Sequence, residues 1–121
     1  MAADPRRTRR SLLSFALALP GAYEDHPWGE TVTKVGGKVF VFFGPDEGTS
    51  GMSVKLDESL EQALMVPEAV PTGYGLGRAG WADVPFLPST PPLDVLKDWV
   101  EESYRRVAPK RLVKELDEQR G

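Results

Sequence analysis

Two adjacent glycines, Gly36 and Gly37, stand between two runs of β-branched and aromatic residues, and they constrain the fold more than any other feature. Residues 31–35 and 38–43 read as strands, because Val, Thr and Phe suit a pleated, half-buried surface. A Gly-Gly link supplies the positive φ that a two-residue hairpin turn needs and that a Cβ resists. A third strand is predicted over residues 52–56, where Met52, Val54 and Leu56 alternate with Ser53 and Lys55. Pro45, Gly48 and Gly51 mark a looser turn before it. In the first strand Val32 and Lys34 share one face, and Thr31, Thr33 and Val35 share the other. In the second, Lys38, Phe40 and Phe42 alternate with Val39, Val41 and Phe43, so both faces are apolar. Either later residues cover the second face, or it exposes Phe and Lys in the way that stacks bases and neutralises phosphate. Burial on both sides is the usual state of a central strand, and it is the expectation here.

Helices frame this meander. Leu12, Phe15, Ala16 and Leu19 recur at i, i+3, i+4 and i+7, the stripe of an amphipathic helix, with Leu13 and Leu17 widening it and Pro20-Gly21 stopping it. The same stretch, with its basic start and apolar middle, has the outline of a secretory signal. The helical periodicity is the stronger pattern and points to a core helix. Arg6, Arg7, Arg9 and Arg10 then form a basic arm over residues 1–10, either a solvated tail or an arm that touches phosphate. A short helix is predicted over residues 57–65, capped by Asp57 or by a Ser59/Gln62 box, with Leu60, Ala63 and Leu64 buried. Residues 81–87 make a fourth strand in which Pro85 argues for an edge or a bulge. Thr90 is placed to cap a helix with Pro91 in its first turn and Leu93, Leu96, Val100, Tyr104 and Val107 along its buried face. Glu101 with Arg105, and Glu102 with Arg106, fall at i and i+4 and predict ion pairs on its solvated side. Pro109 opens a last helix that buries Leu112, Val113 and Leu116 and carries a basic edge of Lys110, Arg111 and Lys114. These elements make one α+β domain over residues 11–121. It is a two-layer sandwich, with an antiparallel sheet of about four strands packed by helices on one side.

Several chemistries are excluded by residue type. The chain has no cysteine and one histidine, so it has no thiol nucleophile, no disulfide framework and no multi-His metal centre. Glu24, Asp25 and His26 are adjacent, but neighbours in an extended loop point apart, so no metal site is expected, and His26 reads as a loop hydrogen-bonding residue. Trp28 reads as a lid on the core edge. Gly73, Gly75, Gly77 and Gly80 do not match the dinucleotide fingerprint or a phosphate loop, and the segment reads as a flexible loop carrying Tyr74 and Arg78. No apolar run is long enough for a membrane span. Catalytic residues and cofactors are therefore expected to be absent, and a cytoplasmic protein without membrane contact is expected. The net charge of −3 counts against strong non-specific nucleic-acid binding, though a local basic face remains open.

The runs LALPGAYEDHPWG, TVTKVGGKVFVFF, MSVKL, GYGLGRAGWADVPFL and LKDWVEESYRRVAPK resemble the MmcQ/YjbR family over roughly residues 11–116. The LPG-x-x-E-x-x-P-W segment, the KVGGKVF hairpin and the ESYRRV helix are the most specific parts. The resemblance implies a fold similar to frataxin and CyaY, and a role as a predicted DNA-binding protein with a double-wing motif. Frataxin-like iron binding does not carry over, because residues 6–23 contain no acid. Two functional classes follow. One is a DNA-binding module whose wing hairpins touch phosphate through Lys34, Lys38, Lys55 and Arg78. The other is a non-enzymatic protein-interaction or regulatory domain with no nucleic-acid partner.

Overall fold

A computed structural model describes residues 4–45 and 50–121. The chain runs α1 (Pro5–Leu17), β1 (Tyr23–Asp25), β2 (Glu30–Val35), β3 (Lys38–Pro45), β4 (Gly51–Lys55), α2 (Leu60–Leu64), β5 (Val70–Pro71), β6 (Trp81–Pro85), α3 (Leu93–Val107) and α4 (Lys110–Arg120). Short 3-10 turns occupy Pro27–Gly29 and Leu76–Ala79. The strands form one antiparallel sheet in the order β1-β2-β3-β4-β6-β5. It holds six strands rather than four, because β1 and β5 are short edge additions in segments that read as loops. The expected turn at Pro45, Gly48 and Gly51 includes residues 46–49, which lie outside the described residues. Among those described, no helix is long and apolar enough to cross a membrane.

The core lies between one face of the sheet and the helices. Leu12 and Ala16 of α1, Phe40, Val41 and Phe43 of β3, Val54 of β4, and Leu96, Trp99, Val100 and Tyr104 of α3 are buried there. Phe15 is only partly buried and carries the Lys97 ammonium 5.7 Å from its ring centre. Helix α1 starts well before the apolar stripe, at Pro5, with Asp4 accepting from the Arg6 N–H as its cap. The arginines of the expected arm are therefore helical from Arg6 to Arg10.

Strict alternation fails along β3. Phe40 and Phe43 have no partner on β2: Lys34 pairs with Val39 and Thr33 with Val41, then Val32 with Phe42 and Thr31 with Gly44. Each is the extra residue of a bulge, which turns two consecutive side chains toward one face. Phe40 and Val41 both enter the core, while Phe42 packs on the far face against Trp81, ring centres 5.2 Å apart. The division of β3 into two alternating sets is thus corrected by the bulges. Trp81 is 7% exposed, so the far face is covered where Phe42 meets it.

Direct pairing of β3 with β4 covers only Val41–Val54 and Phe42–Ser53. The next pair in that register is Phe40 and Lys55, and the Ser103 hydroxyl of α3 stands between them. It donates to the Phe40 carbonyl (2.5 Å) and accepts from the Lys55 N–H (2.8 Å). Two other capping expectations change for related reasons. Glu102 does not pair with Arg106; its carboxylate accepts from the Asp57 and Ser59 N–H groups and from the Ser59 hydroxyl, and so braces the turn before α2, whose N-cap Ser59 makes no side-chain cap bond. Arg106 donates to the Leu56 carbonyl. Thr90 caps no helix: α3 begins at Leu93 after Pro92, and the Thr90 hydroxyl closes a turn on the Pro85 carbonyl and the Leu87 N–H. Glu101 and Arg105 do pair, at 3.3 Å.

Ser103→Ala leaves the Phe40 carbonyl and the Lys55 N–H without their partner, at about 1–3 kcal/mol for each buried unpaired group. Denaturant unfolding should show that loss at an unchanged m-value. A midpoint equal to the parent's would show that the two strands hold together without the wedge.

Candidate functional site

The β2–β3 turn is built as the two glycines demand. Gly36 and Gly37 have φ of +59° and +80°, the doubly left-handed geometry of a tight hairpin. The turn is not free in space, because a Cβ on Gly36 would sit 3.0 Å from the Pro109 ring at the start of α4. A Cβ on Gly37 would meet nothing within 4 Å. The hairpin tip and the first turn of α4 are therefore neighbours.

The antiparallel register brings the predicted cations to this end of the sheet. Lys34 lies one residue before the end of β2, Lys38 begins β3 and Lys55 ends β4. Lys55 pairs with Trp81 at the start of β6, and Arg78 lies three residues before that. They do not share a face. Lys34 is opposite Val39, whereas Lys38 is opposite the core residue Val35. The two lysines that flank the turn thus project to opposite sides of the sheet. Lys34 is also not a free cation: its ammonium lies 2.7 Å from Asp25, diagonally across on β1. That bond holds the Asp25 carboxyl below its ordinary range, with the His26 N–H as a second donor, and raises Lys34. Lys38 and Arg78 are exposed, Lys55 is half-buried, and none of the three has an ion pair among the described residues.

Lys38 faces the side on which α4 lies. Lys110, Arg111 and Lys114 of α4 are exposed and also lack ion pairs among the described residues. The first turn of α4 has no acid and no side-chain cap. Cations there oppose the helix dipole, which stabilises negative charge at an N-terminus. By sequence alone these three make a solvating edge. The one signal that could have joined them to the hairpin is Pro109, and its contact with Gly36 is a tertiary fact.

The face of the sheet away from the helices has another character. A groove of about 460 Å³ opens on the face away from the helices, lined by Glu30, Phe42, Ser53, Glu68, Thr72, Tyr74 and Asp83 among others. Its lining contains three carboxylates and, among the described residues, no Lys, Arg or His. Tyr74 is fully exposed on its rim. Trp28, expected as a lid, is fully exposed too, at φ +52°.

His26 bonds Glu24 at 2.8 Å, and its other ring nitrogen lies 3.5 Å from the Thr31 hydroxyl. Thr31 is 2% exposed, so that hydroxyl is not presented to a substrate as a nucleophile would be. Among the described residues no group of three or more His, Asp or Glu is placed to hold a metal ion.

Two predictions test this geometry. Gly37→Ala should cost about 1–3 kcal/mol, the strain of a left-handed non-glycine residue, and Gly36→Ala should cost more, because its Cβ also meets Pro109. Equal thermal shifts would mean that the turn does not rest on α4. For Asp25, a lowered native pKa makes the folded state bind its proton less readily than the unfolded state does. The Asp25–Lys34 contribution to stability is therefore complete at neutral pH and is lost as pH falls below the ordinary carboxyl value of 3.8. Asp25→Asn should flatten that part of the acid limb in melts from pH 7 to pH 2; an identical limb would show that the pair contributes nothing.

A search of curated proteins finds no match to the chain. The family model YjbR matches residues 17–106, from the end of α1 to the last turn of α3, and leaves α4 outside. That span covers most of the chain, including the hairpin, Ser103 and the groove, and the protein belongs to the YjbR family.

Proposed function

We propose that this YjbR-family protein is a non-catalytic module that contacts the phosphate backbone of DNA with the hairpin end of its sheet. One observation carries the reading: Gly36, in the turn beside the exposed Lys38, lies against Pro109, and the exposed cations Lys110, Arg111 and Lys114 follow Pro109 on α4. A tight turn flanked by lysine, beside a helix start rich in cations, can follow a strand of phosphates without reading bases. Lys55 and Arg78 extend the charge around the same end, while Lys34 contributes little because Asp25 neutralises it. Asp57 and Glu58 lie just beyond Lys55, and the whole chain is acidic, so binding is weak and steeply salt-dependent. A dissociation constant of about 10⁻⁴–10⁻⁶ M is expected at best.

A second reading is favoured by the acidic groove. A groove whose charged groups, among the described residues, are all carboxylates suits a partner other than nucleic acid, and the protein is then a regulatory or interaction domain. Fluorescence anisotropy with a labelled duplex and a labelled single strand at low salt separates the two. On the DNA reading, Lys38→Glu with Lys110→Glu abolishes binding, and Lys34→Gln leaves it nearly intact. Absence of binding at high micromolar protein overturns the DNA reading and leaves the second.

A further inference from the structure

On the floor of the groove on the far face, the side chains of Ser53, Thr72 and Asp83 present acceptors. Asp83 of β6 takes hydrogen bonds on one carboxylate oxygen from both the Ser53 and the Thr72 hydroxyls, each at 2.6 Å. A hydroxyl has one proton, and both protons are committed to Asp83. What Ser53 and Thr72 still offer is lone pairs, and the second Asp83 oxygen has no partner among the described residues. Glu30 and Glu68 add two further carboxylates to the walls. A donor-rich cation meets such a surface; an anion or a second acceptor does not.

The apolar part of the lining fits the same ligand. Phe42 is backed edge-on by Trp81 and so keeps its place in the floor. Tyr74 stands on the rim with its ring in solvent. Aromatic faces attract an organic cation through the ring quadrupole, and the alkyl chain behind the charge packs on the same surface. The volume lies within the range of small-molecule sites.

Backbone strain collects here as well. Among the described residues three that are not glycine have positive φ: Trp28, Glu68 and Tyr74. Glu68 and Tyr74 both line the groove, and Trp28 lies two residues before Glu30, which also lines it. A metal ion is the less suitable occupant, because the three carboxylates do not converge on one point.

We infer that this groove binds an organic ammonium ion, with the alkylammonium head on the free oxygen of Asp83 and its chain between Phe42 and Tyr74. The inference does not depend on the DNA reading, since the groove contains none of the cations named there. The chemistry is shared by free polyamines and by the lysine side chain of a peptide.

Backbone amide NMR of the full chain tests it, with spermidine, n-butylammonium and an N-acetylated lysine methylamide as probes. Neutral n-butanol, butyrate and magnesium ion serve as comparisons. Saturable shifts at Ser53, Thr72, Tyr74 and Asp83 with the ammonium probes are expected, and no saturation with butanol or butyrate. The tighter of spermidine and the capped lysine identifies the source of the cation. Asp83→Asn should weaken the ammonium probes roughly tenfold or more, through loss of a charge-assisted bond. Tyr74→Gly, at an exposed position whose φ suits glycine, keeps the fold and should weaken them several-fold. Shifts that never saturate, that map elsewhere, that butanol reproduces, or that persist unchanged in Tyr74→Gly overturn the proposal. Equal shifts at the same residues with magnesium overturn it too.

Discussion

The Ser103 hydroxyl, held between the Phe40 carbonyl and the Lys55 N–H, is the contact on which the arrangement of this domain turns. Two strands that pair directly at only two positions are continued by a side chain from another layer. The gap falls beside the bulge that Phe40 makes in its pairing with β2. An extra residue bends β3 away from its partner and leaves ladder groups unpaired. Without the hydroxyl, a buried carbonyl and an enclosed N–H would carry the full cost of desolvation. With it, α3 is fixed in register against the sheet. The same bulge directs both Phe40 and Val41 into the core, where Phe40 meets Tyr104 edge-on at 5.4 Å. Tyr104 in turn donates to the Pro20 carbonyl, tying the end of the α1 connection to α3.

Helix α3 performs a second task of the same kind one residue further on. Glu102 takes three hydrogen bonds from the 57–59 segment, and Arg106 bonds the Leu56 carbonyl. Side chains that periodicity assigns to a solvated face instead close the chain just after β4. Those closures set where Lys55 ends its strand and where Gly80, whose carbonyl accepts from the Leu56 N–H, brings in β6. Burial of apolar surface holds the layers together, but it is non-directional. The hydrogen bonds of α3 are directional, and they decide which strand ends lie side by side.

A consequence is an uneven distribution of charge over the sheet. The hairpin end collects Lys38, Lys55, Arg78 and the start of α4. The far face carries Glu30, Glu68 and Asp83 along the groove. A net charge of −3 conceals this division. Binding responds to the local field and to the groups that line a surface rather than to the net charge.

The local part of this structure was legible in the sequence. Gly36 and Gly37 specified the turn, because no other residue pair takes two positive φ values so cheaply. The stripes of Leu12 and Ala16, and of Leu96, Val100 and Tyr104, specified helices and their buried faces, and the family could be recognised from the same segments. What the sequence could not determine was any feature that depends on two elements meeting. The bulges at Phe40 and Phe43 arise in pairing with β2, and they overrule the alternation that β3 would otherwise follow. Ser103 reads as one polar residue on a helix until the gap between β3 and β4 gives it two partners. Lys34 and Lys38 look like a matched pair in the chain, yet the pleat sends them to opposite faces and gives Lys34 to Asp25. The groove exists only because β4, β6 and the loop bearing Thr72 and Tyr74 come together, and no local pattern encodes an acceptor surface assembled from three separate segments. Turn chemistry and periodicity act over a few residues; register and convergence are settled by packing across the whole domain.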